Sequence, residues 1–288
     1  MSPQTAWPPT KFRRFERFVR SSTGVAIVQT DAGRGYLKAM GNDEGPHALA
    51  KDLVGTRLAR WFGLPTLDEA VLLLEKSDVY PLPNRRLAQP GPAFITRAVR
   101  AVPWSGAPKR LKRLANPDDL TRLVVFDTWL LNSDRYPRTP PEEPSSHPAA
   151  RSRQPNRDNV LLEWTGHGKE SRLRLVAMDF THAFNSGQSI SARMHTIAAV
   201  QDDGVYGLFP ELIPLLRQEV ALEAAQRLRE VERKAVESVL QDVPDAWQVD
   251  SAGRLAWCDL IYDRAARLDA ACGWGGGGGQ MSLFLGGG

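Results

Sequence analysis

Three polar side chains in the middle of the chain have the chemistry of a phosphoryl-transfer site. Asp134 follows one apolar run, Asn159 opens a second, and Asp179 follows a third, Val176-Ala177-Met178. In phosphoryl transfer one Asp orients the attacking hydroxyl, while an Asn and a second Asp hold Mg²⁺. Each residue alone could equally be a turn or cap residue, but their positions at element ends suit a phosphoryl-transfer site.

Two charged residues nearer the N-terminus could face the same site. Lys38 lies inside a short apolar strand, Tyr36–Met40, and Asp52 lies on a helix predicted over His47–Phe62. A helix packed beside the sheet could direct Asp52 at the Lys38 ammonium. Because the faces of a strand alternate, Lys38 could instead point to solvent, and Asp52 could be an exposed helical carboxylate.

The elements that must position these residues begin with a small sheet. Val25–Val28 and Tyr36–Met40 are separated by dense turn residues, which predicts a β-hairpin. The helix at His47–Phe62 ends at a glycine, and two later runs, Ala70–Leu74 and Ala93–Thr96, predict further strands. Residues 1–10 are polar, contain three prolines and predict an irregular start.

The second half of the chain has a helical pattern around one more hairpin. A segment from Pro117 to Leu131 is apolar nearly all round, which indicates a buried helix. Val160–Leu162 and Leu173–Val176 predict the hairpin, and Asp179 closes it. The remaining apolar periodicity predicts helices over 210–216, 219–240 and 254–271.

Two segments lack the pattern of a folded core. Residues 136–157 contain six prolines and no periodicity, which predicts a surface insert. Residues 273–288 are rich in glycine and predict a flexible tail.

Composition excludes several classes of function. The 288 residues carry a formal net charge of +4, with basic clusters at 11–20, 97–113 and 151–157. No basic stripe interleaved with aromatic residues is visible, so direct nucleic-acid binding is not expected. No apolar run is long enough to span a membrane, and the two cysteines form no metal-binding pattern. We therefore expect a soluble, cytoplasmic protein that does not bind membranes.

The order of these motifs resembles the HipA-like kinases, a bacterial branch of the protein-kinase-like superfamily that is also similar to phosphatidylinositol kinases. The resemblance runs from Gly24 to Phe184 and covers N-S-D-R, D-N-V-L-L and M-D-F-T-H-A-F. It implies an α+β, bilobal protein-kinase-like fold. Residues 1–100 would form a small β-rich N-lobe with one main helix, and residues 101–272 a larger, mainly helical C-lobe.

The resemblance also implies a role for each residue of the site. Asp134 would accept the proton of the substrate hydroxyl, and Asn159 and Asp179 would bind Mg²⁺. Lys38 would pair with the ATP phosphates, and Asp52 would hold Lys38.

The resemblance implies roles for further residues. Arg135 would steady the transferring phosphoryl group, with a structural ion pair as the alternative. The resemblance also implies contacts to ATP in two segments. Ser22, Thr23 and Gly24 would belong to the loop over the phosphates. Thr96 and Arg97 would belong to the hinge near adenine.

The chain departs from the family pattern in three places. The metal-binding Asn usually stands five residues after the catalytic Asp, a position occupied here by Thr139, so the insert must loop out to bring Asn159 to Asp134. Asn156 is the rival ligand. Asp52 is one carbon shorter than the usual glutamate, and the phosphate loop has few glycines.

The function implied is ATP- and Mg²⁺-dependent phosphorylation of a protein Ser or Thr hydroxyl, with a small DNA-binding antitoxin as partner. Two alternatives stay open. The first is a kinase for a small molecule or a lipid headgroup, and the second is a nucleotide-binding pseudokinase that acts as an interaction module.

Overall fold

The structure is a computed structural model that describes residues 7–19, 24–83, 85–136, 156–166 and 168–271. The predicted phosphate-loop residues Ser22 and Thr23, most of the insert, and the glycine-rich tail lie outside these ranges. The predictions for those segments therefore stay predictions.

The N-terminal region is built on an antiparallel five-stranded sheet. Its strands, in spatial order, are β1, β2, β3, β5 and β4. They span β1 (Phe12–Phe18), β2 (Ala26–Thr30), β3 (Gly33–Lys38), β4 (Glu69–Leu74) and β5 (Gly91–Arg97). The predicted hairpin corresponds to β2 and β3, and the two later strand predictions correspond to β4 and β5.

Strand β1 was not predicted, and its irregular pairing explains why. Its register against β2 shifts twice, between Phe12 and Arg14 and again between Phe15 and Arg17. These bulges break the two-residue alternation that identifies a strand. Phe12, Phe15 and Phe18, spaced three apart, consequently all pack against the ring of Tyr80.

Helix α1 (Pro46–Trp61) lies between this sheet and the C-terminal helices. Its residues from Ala48 to Thr56 are all buried, so both of its faces are covered. Trp247, from the C-terminal half, donates its indole N–H to the Pro92 carbonyl at 2.9 Å beside the start of β5. The helix that carries Asp52 is thus held from both sides.

The C-terminal region combines a three-stranded sheet with helices. The sheet has the order β6 (Ala101–Pro103), β7 (Val160–Thr165) and β8 (Arg172–Ala177). The helices are α2 (Pro108–Leu111), α3 (Asp118–Trp129), α4 (Ala183–Ser186), α5 (Ile197–Val200), α6 (Gln218–Leu228), α7 (Arg233–Gln241) and α8 (Ser251–Ala271). The α+β prediction, with a β-rich N-terminal region and a mainly helical C-terminal region, is confirmed.

Two helix predictions in this region were wrong. The single helix expected over 219–240 is two helices, α6 and α7, since the chain is extended at Glu232. No Gly or Pro marks this break, so the apolar pattern could not reveal it. The helix expected over 210–216 is only a 3-10 turn at Ile213–Leu215, where Pro214 has no N–H to donate. None of the described helices is long and apolar enough to cross a membrane.

Helix α3 is buried nearly throughout, as predicted, and its C-terminus is held by a buried arginine. Arg264 of α8 donates to the carbonyls of Thr128 at 2.6 Å and Trp129 at 2.8 Å. It also donates to Ala199 at 2.7 Å and to Asp202 at 3.0 Å. Carbonyls at and just beyond a helix end lack their full set of intrahelical donors, so Arg264 supplies donors where water cannot reach.

Replacing Arg264 should therefore destabilise the fold strongly. Arg264→Ala leaves several buried carbonyls without a donor, which should lower the free energy of unfolding by about 3 kcal/mol. Chemical denaturation followed by tryptophan fluorescence measures the change. Arg267→Ala, which removes an exposed ion pair with Asp203, is the matched control and should cost less than about 1 kcal/mol. Equal losses from both variants would contradict the assignment.

Candidate active site

A cleft of about 1140 Å³ lies between the five-stranded sheet and the C-terminal region. Its wall includes Lys38, Asp52, Asp134, Asn159 and Asp179, the five residues on which the predicted site depends. Residues separated by more than a hundred positions in the sequence therefore share one cavity.

Lys38 lies at the centre of a buried charge cluster. Its ammonium donates to Asp52 Oδ2 at 2.6 Å, to Asp179 Oδ1 at 3.1 Å and to the Thr181 hydroxyl at 3.0 Å. Burial alone would lower the pKa of Lys38, but the charges of Asp179 and Asp52 outweigh burial and raise it. The ammonium is therefore charged at any physiological pH and points inwards, not to solvent.

Asp52 connects helix α1 to the backbone that follows β8. While Oδ2 accepts from Lys38, Oδ1 accepts the Phe180 N–H at 2.8 Å. Burial raises the pKa of Asp52 and Lys38 opposes this shift. One carboxylate thus positions the lysine and the residue next to Asp179.

Gly55, one turn after Asp52, explains how the shorter aspartate reaches its partners. A Cβ atom at Gly55 would lie only 2.4 Å from Cγ of Phe180. The absence of a side chain lets α1 approach the segment after β8 closely. This approach compensates for the carbon that aspartate lacks relative to glutamate.

Asp179 adopts a left-handed backbone conformation, with φ of 58°. Aspartate tolerates this region better than most residues, and such strained conformations cluster at functional sites. Its Oδ1 accepts from Lys38 and, at 3.0 Å, from the Thr181 hydroxyl. Burial would raise the pKa of Asp179, but Lys38 and Thr181 lower it, so the carboxylate is ionised.

Asp134 and Asn159 are in direct contact although the insert separates them in the sequence. Asn159 donates its side-chain N–H to Asp134 Oδ2 at 2.6 Å. The Asn156 N–H donates to the Arg135 carbonyl at 2.8 Å, and Arg135 donates to the Asn159 carbonyl. The chain on the two sides of the insert is therefore joined, which is the geometry that the predicted looping-out requires.

Asn156 also lines the cleft, but no contact joins its side chain to Asp134 in the described part of the chain. The bond from Asn159 to Asp134 engages its amide nitrogen and leaves its carbonyl oxygen as the atom able to bind a cation. This orientation favours Asn159 over Asn156.

The structure corrects the prediction that Arg135 steadies the transferring phosphoryl group. Its side chain is 0% exposed and its Nε donates to both carboxylate oxygens of Asp127, at 2.8 and 3.1 Å. The guanidinium also lies over the ring of Phe180, 5.3 Å from the ring centre. Arg135 is not part of the cleft wall, so direct contact with a phosphoryl group is not supported, and the contacts favour the ion-pair alternative.

The predicted ATP contacts divide into supported and unsupported ones. Thr96 lines the cleft, whereas Arg97 does not and instead pairs with Asp68 at 3.5 Å. Successive side chains of β5 point to opposite faces of the sheet, so both could not face the cleft. Gly24, with φ of 63°, is not part of the cleft wall, although its neighbour Val25 is.

Sequence reasoning missed two residues that organise this site. Thr181 bridges Lys38 and Asp179, and only its position beside the M-D-F motif could have identified it. Asp127 holds Asn132 and Arg135 from beneath the loop that carries Asp134. The signal for Asp127 was a carboxylate inside the mostly apolar run from Leu123 to Leu131.

Within the described ranges, no group of three or more His, Cys, Asp or Glu side chains could hold a metal ion. Asp179 and Asn159 still fit Mg²⁺, because this ion is commonly held by one or two protein oxygen ligands together with substrate phosphates and water.

Comparison with known proteins gives the fold. No protein-family model and no curated protein matches the chain. The proinflammatory kinase CtkA of Helicobacter pylori superposes with a TM-score of 0.53 at 10% identity, covering 90% of this chain and 97% of its own. The chain has a kinase fold. The fold assignment rests on this comparison.

Two other solved structures are among the structural neighbours. HipA of Shewanella oneidensis, solved with HipB and operator DNA, has a TM-score of 0.43 at 9% identity and covers 93% of this chain and 66% of its own. The PknI kinase domain of Mycobacterium tuberculosis has a TM-score of 0.23 at 14% identity and covers 91% of this chain and 99% of its own.

The joined ends of the insert predict that most of it is dispensable for the fold. Replacing residues 138–154 by a short Gly-Ser linker shortens a loop whose ends already meet, so the free energy of unfolding should change by less than about 1 kcal/mol. The binding of ATP with Mg²⁺ that the sequence predicts should also persist, as measured by calorimetry. Asn159→Ala should weaken that binding equally in the shortened and full chains. Loss of binding on shortening alone would contradict the prediction.

The pH dependence of stability should reveal Asp127. Burial raises the pKa of this carboxyl from 3.8 to about 6, although Arg135 and Asn132 oppose the shift. An acid whose pKa is raised on folding binds a proton more readily in the folded state. The wild type should therefore gain stability relative to Asp127→Asn as the pH falls from about 6 to about 4.

Urea unfolding at a series of pH values measures this difference. Asp203→Asn, at an exposed ion pair, is the matched carboxylate control. A flat or inverted difference curve for Asp127→Asn would contradict the sign of the shift.

Proposed function

We propose that the protein is an ATP- and Mg²⁺-dependent kinase that transfers the γ-phosphate to a Ser or Thr hydroxyl of a protein. The observation that carries the proposal is the convergence of Asp134, Asn159 and Asp179 on one cleft opposite a buried, charged Lys38. These are the side chains that phosphoryl transfer needs, in a protein with a kinase fold.

Asp134 is assigned to the acceptor hydroxyl. It follows the buried helix α3 and is held from one side by the Asn159 amide at 2.6 Å. Because Asp127 and Arg135 fix the loop from beneath, the carboxylate keeps its orientation before a substrate arrives. Such preorganisation is what positioning contributes to catalysis.

Asn159 and Asp179 are assigned to Mg²⁺. Both hydrogen bonds that Asp179 accepts from side chains go to Oδ1, so Oδ2 is the oxygen that would bind Mg²⁺. When bound, Mg²⁺ neutralises developing charge on the transferred phosphate.

Lys38 is assigned to the ATP phosphates, with Asp52 as the residue that positions it. Apolar side chains of the cleft, Val25, Ile27, Phe94, Leu161 and Met178, suit the flat adenine ring. Thr96 is the polar residue of this part of the wall. The nucleotide would thus lie with its base between the two regions and its phosphates towards Lys38.

The pseudokinase alternative depends on two departures from the family pattern, the displaced asparagine and the shorter aspartate, and the contacts of both residues weaken it. The displaced Asn159 reaches Asp134, and the shorter Asp52 reaches Lys38. The protein substrate, the small DNA-binding antitoxin partner and the cytoplasmic location stay predictions.

The deciding experiment is phosphate transfer from radiolabelled ATP with Mg²⁺. The acceptors are a Ser/Thr peptide library, phosphatidylinositol vesicles, and the protein alone for autophosphorylation. We expect label in the peptides, and a loss of about a thousandfold in Asp134→Asn, because general-base positioning typically contributes 10²–10⁴. Asp203→Asn is the matched control, with unchanged turnover and an unchanged fold.

Each other outcome has a definite meaning. Wild-type transfer by Asp134→Asn would overturn the assignment of the catalytic residue. Label confined to the lipid would overturn the protein substrate in favour of the headgroup kinase. Tight binding of ATP with Mg²⁺ but no transfer to any acceptor would favour the non-catalytic module.

A further inference from the structure

One basic cluster of the sequence has no role in the proposed active site. Residues 97–115 contain six basic residues and no acidic one. None of these six basic side chains lines the cleft. Their positive charge therefore needs an explanation other than binding of the ATP phosphates.

The fold presents four of these residues at the surface, and we name them the basic rim: Arg100, Lys109, Lys112 and Arg113. All four are exposed. Two contacts bring them together. Strand β6, which follows Arg100, pairs with β7. Arg113, which follows α2, is joined to β8 because the Leu173 N–H donates to its carbonyl at 3.2 Å.

Two of the four cations are held in place by an aromatic ring. The guanidinium carbons of Arg100 and Arg113 lie 5.8 Å and 5.3 Å from the centre of the Trp164 ring. Arg113 also donates to the Ser171 carbonyl at 3.3 Å. Fixed guanidinium groups bind carboxylate and phosphate oxygens at a lower entropic cost than mobile ones.

No acidic side chain neutralises the basic rim in the described part of the chain. Glu163, on the neighbouring strand β7, is committed to Arg174 at 2.6 Å. None of the four rim residues forms a salt bridge with a described carboxylate, whereas many other surface arginines do. An uncompensated positive field of this kind attracts an anionic partner.

The surroundings of the rim distinguish between classes of anionic partner. Single-stranded nucleic acid binds through aromatic rings open to base stacking, but arginines already cover the Trp164 ring, and Trp104 is fully buried. Membrane surfaces favour exposed large apolar side chains beside the cations. None of the described exposed ones lies in residues 97–115 or 160–175. A polypeptide rich in carboxylates needs neither feature.

We propose that the basic rim is a docking surface for an acidic polypeptide segment. Ala101 and Pro103, between Arg100 and Lys109 in the sequence, line the cleft, so the basic rim adjoins one wall of the cleft. The binding is electrostatic and does not depend on nucleotide or on phosphate transfer. It therefore stands apart from the proposed function.

The test is binding of a fluorescently labelled oligoglutamate peptide to the full chain without nucleotide. The double charge reversal Lys109→Glu/Lys112→Glu should weaken binding at least about tenfold, because exposed charges of like sign then face each other. Binding should also weaken as salt is raised. Asp134→Asn should bind the peptide like the wild type, which separates this proposal from the catalytic one.

The matched control is Lys76→Glu/Lys234→Glu, which changes the net charge equally at exposed lysines elsewhere. It should retain wild-type affinity. No peptide binding at low salt, or equal losses in both double variants, would overturn the proposal. Tighter binding to duplex DNA, or to vesicles of phosphatidylcholine and phosphatidylserine, would overturn it in favour of that partner.

Discussion

The structure depends on one buried lysine that forms ion pairs with two carboxylates. Lys38 of β3 contacts Asp52 of α1 and Asp179 after β8, and it is only 7% exposed. Charges buried without partners cost several kcal/mol each, so the three elements that carry them must stay together. The cluster of Lys38, Asp52 and Asp179 therefore joins the walls of the cleft between the two regions.

A second buried ion pair supports the opposite wall, and the two meet at Phe180. Arg135, paired with Asp127, lies over the Phe180 ring, while Asp52 accepts the Phe180 N–H and Gly55 leaves room for the ring. The lysine cluster and the loop that carries Asp134 therefore share one contact. Arg135 acts on the site through this packing and not by touching a substrate.

Periodicity predicted most elements, and its failures have identifiable causes. The bulges of β1 place Phe12, Phe15 and Phe18 on one side at a spacing of three, which no simple strand pattern contains. The break between α6 and α7 carries no Gly or Pro. Residue type alone also misled for Arg97 and Arg135, because a side chain's partner is set by strand face and burial. Arg97 faces away from Thr96, and Arg135 faces the core.

The sequence by itself determined which residue types stand at the element ends, namely the carboxylates and amide of the N-S-D-R, D-N-V-L-L and M-D-F motifs. It also determined the amphipathic patterns that make the hairpins and α1. Only the tertiary structure decided that Asn159 meets Asp134 across the insert and that Asp52 reaches Lys38. Those contacts depend on how closely chain segments approach each other. For Asp52, Gly55 permits the approach by leaving room for Phe180, which is far away in the sequence.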